Sequence, residues 1–127
     1  MNKIYAEISA GELVDKITIL EIKKEKNTNK EKLIEIKKEL DSLTNTFNKS
    51  IKKNINLETL TKELKNTNLK LWDIEDKIRK LEKKQGFGKE FIELARNVYK
   101  FNDERAKIKL KINEALDSNI KEVKSYE

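Results

Sequence analysis

The chain holds 29 Lys and Arg residues, yet arginine occurs at only three positions, Arg79, Arg96 and Arg105. Where lysine is the default cation, an arginine is wanted for its planar fork, which grips a carboxylate or phosphate through two parallel hydrogen bonds. Arg96 and Arg105 lie in LARNVYKFNDERAKIKL, residues 94–110, and Arg79 closes LWDIEDKIR, residues 71–79. Arg96, Tyr99 and Asp103 share one helical stripe at i, i+3 and i+7. If the two segments pair antiparallel, residues 72–79 lie level with 93–100. Trp72, Arg79, Arg96 and Tyr99 then line one groove, with aromatic faces for stacking and guanidiniums for an anion. The competing reading is a surface lattice of ion pairs with Trp72 at the edge of the core.

Carboxylates supply the second possible chemistry. Glu12-x-x-Asp15 and Asp73-x-x-Asp76 each place two acids on one helix face, and two such pairs on facing helices could hold Mg²⁺ through oxygen ligands. This spacing resembles the Glu-x-x-Glu and Glu-x-x-Asp motifs of the all-helical nucleoside-triphosphate pyrophosphohydrolases, which implies a Mg²⁺-dependent phosphohydrolase as an alternative. Thiol and imidazole chemistry is excluded, because the 127 residues include no Cys and no His. The net charge of +6 invites a nucleic-acid reading. Acids are interleaved with the lysines almost everywhere, as in KKEKNTNKEKLIEIKKEL, so the pattern reads instead as a solvated helical surface.

The elements that must carry these residues are helices. Proline is absent, glycine occurs three times and 41% of residues are charged. KIYAEI alternates like a short extended arm over residues 1–8. Ser9 and Glu12 form a capping box, so a helix runs over 10–26 with Leu13, Val14, Ile17, Leu20 and Glu21 inward. Thr28 and Glu31 repeat the signal, predicting a helix over 29–47. Asn56 caps a third helix over 56–84, Gly86 suits a left-handed turn residue, and Phe87 with Ile92 staples a fourth over 88–116. Residues 117–127 form a tail whose Ile120, Val123 and Tyr126 are candidates for docking. No apolar run is long enough for a membrane span and the N-terminus is acid-dotted, so a cytoplasmic protein is expected.

The last two helices carry matching three-four repeats. Leu57, Leu60, Leu64, Thr67, Leu71, Ile74, Ile78 and Leu81 face Phe91, Leu94, Val98, Phe101, Arg105, Ile108, Ile112 and Ala115, with paired numbers summing to 172. The expected fold is all-α: two shorter helices packed on a long antiparallel coiled-coil-like hairpin. Its only polar seam positions, Thr67 and Arg105, fall in one layer. A guanidinium there needs a carboxylate or an anionic ligand beside it, and Asp15, Glu21 and Glu63 are in reach as partners.

The blocks ISAGELVDKITILEIK, LWDIEDKIR, FIELARNVYKFNDERAKIKLKIN and EVKSY resemble a small bacterial and phage family of unknown function. They cover about half of the chain and leave residues 26–66 unplaced. The resemblance implies an intact single-domain protein and directs attention to Glu12, Asp15, Lys16, Trp72, Asp76, Arg79, Arg96, Tyr99, Asp103 and Arg105. From the residues, the expectation is a non-enzymatic protein that binds a phosphorylated small molecule or nucleotide at Trp72, Arg79, Arg96, Tyr99, Asp103 and Arg105, without a cofactor. In a phage setting it would sequester a host nucleotide signal. A structural coiled-coil adaptor is a further alternative, and a homodimer is expected.

Overall fold

Four helices account for the regular structure in the computed structural model, which describes residues 1–52 and 54–124. They are α1 (Ala10–Lys26), α2 (Lys30–Ser50), α3 (Ile55–Lys83) and α4 (Lys89–Ala115). No strand occurs among the described residues, so the fold is all-α. No helix among them is long and apolar enough to cross a membrane.

Each helix starts where a short polar side chain can accept from an orphan N–H, except α4, which starts at Gly88 without a side-chain cap. Ser9 Oγ accepts from the Glu12 N–H at 3.0 Å, as the capping box requires. Two caps are shifted from expectation. Asn29, not Thr28, accepts from the Lys32 N–H at 3.1 Å, and Asn54, not Asn56, accepts from the Leu57 N–H at 2.7 Å. In both places several cap-competent residues lie within two positions of one another, and packing of the apolar face selects among them.

The helix ends show the same slippage. α3 stops one residue early, so the left-handed position falls on Gln85 (φ 57°) rather than Gly86. The Gly86 N–H donates to the Leu81 carbonyl at 2.8 Å and the Gln85 N–H to the Glu82 carbonyl at 3.1 Å, a Schellman pair. α4 closes in the same way around Asp117 (φ 48°), with Ser118 bonded to Asn113 and Asp117 to Glu114. Phe87 packs at the start of α4. Its ring meets Phe91 edge-on, with centroids 5.3 Å apart.

α1 packs against each of the other three helices, α2 packs against α1, and α3 packs along α4. Because α1 has neighbours on several sides, it buries Leu13, Val14, Asp15, Thr18, Leu20 and Ile22, while Ile17 and Glu21 are half-buried. The central cluster is Val14, Leu57, Leu64, Ile108 and Ile112, with Phe47, Ile51, Leu60 and Leu116 packed on it. Gly11 permits the close approach of α1 to α4. A Cβ there would lie 2.5 Å from the Lys109 carbonyl oxygen and 2.9 Å from Asn113 Oδ1. The approach also satisfies orphan donors of α1, since the Gly11 N–H donates to Asn113 Oδ1 at 2.6 Å and the Ala10 N–H to Ser118 Oγ at 3.0 Å.

The arm, residues 1–8, lies outside the helices with Ile4 and Tyr5 exposed. Val123 of the tail is exposed and Ile120 nearly half so, against the docking expected of them. Tyr126 lies outside the described residues.

Candidate functional site

Arg105 finds its carboxylate in Asp15. Its Nε donates to Asp15 Oδ1 at 3.0 Å and its Nη2 to Oδ2, the bidentate fork that a lysine cannot form. Of the three acids in reach by sequence, Asp15 wins because it sits on the α1 face enclosed by α3 and α4. Glu63 offers only its backbone carbonyl, to Thr67 Oγ1 at 3.0 Å. The two partners are unequally buried: 1% of the Asp15 side chain is exposed against 29% of Arg105.

A carboxylate so deeply buried needs every lone pair engaged. Asn68 Nδ2 donates to Asp15 Oδ1 at 2.9 Å and to Thr18 Oγ1 at 3.0 Å, while Thr18 Oγ1 donates to the Asp15 carbonyl at 2.8 Å. Lys109 Nζ stands 3.7 Å from Asp15 Oδ2 and also binds Glu12. Asn102 Oδ1 accepts from Arg105 Nη1 at 3.4 Å. Among the described residues no buried side-chain polar atom lacks a partner. The hydrogen bonds that Arg105 donates to Asp15 push its pKa up from its ordinary value. Desolvation opposes them, and the charges of Asp15 and Glu12 add to the rise.

Above this polar layer, α1, α3 and α4 enclose a groove of about 570 Å³. Arg105, Asn68 and Asn102 line it with Trp72, Glu75, Asp76 and Arg79 of α3, and Ile19, Ile22 and Leu71 supply apolar wall. Trp72, Glu75, Asp76 and Arg79 form one stripe at i, i+3, i+4 and i+7. Arg79 reaches Glu75 Oε2 at 3.5 Å with 78% of its side chain exposed, so this pair is weak and easily re-aimed.

Three of the six expected binding residues, Trp72, Arg79 and Arg105, therefore share a groove, and three do not. Arg96, Tyr99 and Asp103 are exposed on α4 and do not line it. The reason is azimuth. At 100° per residue, Arg96 lies nine positions and so about 180° from Arg105, and Tyr99 about 120° from it. Height along the axis had placed them level with Trp72 without asking which way they face. Asp103 instead takes Lys124 of the tail.

Residues 4–127 match the model of a family of unknown function (DUF6165). The chain belongs to this family. The match takes in residues 26–66, the stretch that the sequence blocks had left unplaced. No curated protein and no solved structure matches the chain.

The Mg²⁺ reading of this DUF6165 chain does not find its ligand set assembled. Asp15 spends its oxygens on Arg105 and Asn68, Glu12 is bound by Lys16 and Lys109, and Asp76 pairs with Lys80 at 3.0 Å. Asp73 is exposed, and no three acidic side chains gather as metal ligands among the described residues. The residues that sequence reasoning missed are amides and one lysine: Asn68, Asn102, Lys109 and Asn113. Their only signal was spacing, since Asn102 and Lys109 lie at i−3 and i+4 from Arg105 and Asn68 lies at i+4 from Leu64.

Proposed function

We propose that the protein is a non-enzymatic binding module whose groove between α1, α3 and α4 takes a small phosphorylated ligand with a planar ring, a nucleotide in the simplest case. One observation carries the reading: the only Trp and two of the three arginines line the same groove, beside two asparagine amides. Trp72 supplies the stacking face. Arg79, exposed and loosely held, supplies the mobile anion contact, while Arg105 keeps its fork on Asp15 and offers its outer N–H edge. Glu75 and Asp76 balance this charge. The groove therefore suits a ligand that carries one anionic group together with N–H donors, and a monophosphate is favoured over a triphosphate.

Core contacts support the hairpin reading of α3 and α4, with paired positions summing to 172. Leu64 with Ile108 and Leu60 with Ile112 meet in one cluster, and Lys70 Nζ lies 5.3 Å from the Phe101 ring centre. The polar layer holds this register while the groove above it does the binding.

Trp72 is the only tryptophan and lines the groove, so its emission reports binding there, and Arg79→Ala separates this from binding in the cleft against α1 and α2 that Trp72 also borders. Titration with a panel of nucleoside mono-, di- and triphosphates, followed by Trp72 emission and by calorimetry, is expected to show saturable binding that Arg79→Ala weakens about tenfold. Folded protein that gives neither heat nor an emission change with any member of the panel would refute the proposal.

A further inference from the structure

The residues that the groove leaves out form a pattern of their own. Ile92, Arg96, Tyr99, Asp103, Ala106 and Leu110 recur on α4 at spacings of 4, 3, 4, 3 and 4, a second three-four stripe about 150° around the helix from the seam that faces α3. In the structure this stripe faces solvent. Ile92 is 48% exposed, Tyr99 57% and Leu110 41%, and Arg96 and Asp103 are exposed. Ala106 is half-buried. A solvated helix face has no need of a coiled-coil repeat with apolar residues at both ends and complementary charges in the middle.

We propose that this face docks against a second copy of the chain, with the two α4 helices antiparallel about a two-fold axis. The stripe is self-complementary when paired numbers sum to 202. Ile92 then meets Leu110 of the partner subunit, Arg96 meets Ala106 of the partner subunit, and Tyr99 meets Asp103 of the partner subunit. The dyad repeats each contact. Arg96 lies one layer from the partner subunit's Asp103, and the Tyr99 hydroxyl donates to the same carboxylate. The small Ala106 gives the Arg96 stem room to cross. Charge pattern and apolar pattern thus select the same register.

Asp103 holds Lys124 in the single chain, but the contact is solvent-exposed on both sides and weak enough to exchange. Lys100 and Lys107 flank the stripe, which keeps the association reversible. Of the groove-lining residues of α4, Arg105 lies about 140° around the helix from the stripe, while Asn102 borders it at i+3 from Tyr99, so the interface covers one edge of the groove and leaves its Arg105 side open.

Sedimentation equilibrium on the full chain tests the proposal. Wild type is expected to shift from 15 kDa toward twice that mass in the micromolar range. Ile92→Glu and Leu110→Arg each place charge in both end layers and are expected to sediment as monomers with unchanged helical circular dichroism. An equimolar mixture of the two variants is expected to dimerise again, because one end layer becomes an ion pair and the other returns to Ile against Leu. Wild type that stays at 15 kDa to several hundred micromolar overturns the proposal. So do single variants that remain dimeric, and a mixture that remains monomeric overturns the antiparallel register.

Discussion

Replacing Arg105 with Met removes both hydrogen bonds from Asp15 and leaves that carboxylate charged with 1% of its side chain exposed. Breaking one side of a buried ion pair costs about 3–5 kcal/mol, because the remaining charge stays desolvated. Two neighbours soften the loss here. Asn68 still donates at 2.9 Å, and Lys109 Nζ is 3.7 Å away. The expected destabilisation is therefore near the lower end, about 3 kcal/mol. For a chain of this length that lowers Tm by roughly 10 °C. Asp15→Asn is milder, about 1–2 kcal/mol, since Arg105 is 29% exposed and its freed N–H groups can reach water.

The double variant Asp15→Asn/Arg105→Met buries no charge. Its loss is expected to fall about 2 kcal/mol short of the sum of the singles. Arg105→Lys keeps the charge but cannot reproduce the fork, so it falls between wild type and Arg105→Met. The pKa of Arg105 is raised in the folded state. Its contribution is then complete below arginine's ordinary value and is lost only as pH rises through the higher folded one, so it stays flat across neutral pH. Urea denaturation followed by circular dichroism at 222 nm measures wild type and the four variants. Arg105→Met as stable as wild type would refute the reasoning, as would a cycle additive within about 0.5 kcal/mol.

Three further substitutions test the helix junctions. Gly11→Ala, which in an ordinary helix stabilises, is expected to destabilise by about 1–3 kcal/mol because the new methyl meets the Lys109 backbone; a thermal melt shows the sign. Gln85→Gly relieves a non-glycine residue at φ 57° and is expected to stabilise by about 1 kcal/mol in urea titration. Asp117→Gly, at the equivalent point of α4, should gain less, because Asp tolerates the left-handed region better than Gln.

The all-α character, the four helices and the first boundary at Ala10 were legible because apolar periodicity and capping chemistry act within a few residues of one another. The need of Arg105 for a carboxylate was legible too, since the cost of a buried guanidinium does not depend on which acid answers it. Tertiary structure made the choice among Asp15, Glu21 and Glu63, because only Asp15 lies on the face of α1 that α3 and α4 enclose. It also decided that the start of α1 is capped from the far end of the chain, by Asn113 and Ser118, a contact between residues more than 100 positions apart. The division of the arginines was half visible. Helical azimuth alone separates Arg96 from Arg105, yet that Trp72 and Arg79 share a groove with Arg105 depends on where α1 lies across the other two helices. Local chemistry writes the helices and the charges that must be answered; which side chain answers them depends on long-range packing, to which neighbouring residues in the sequence carry no signal.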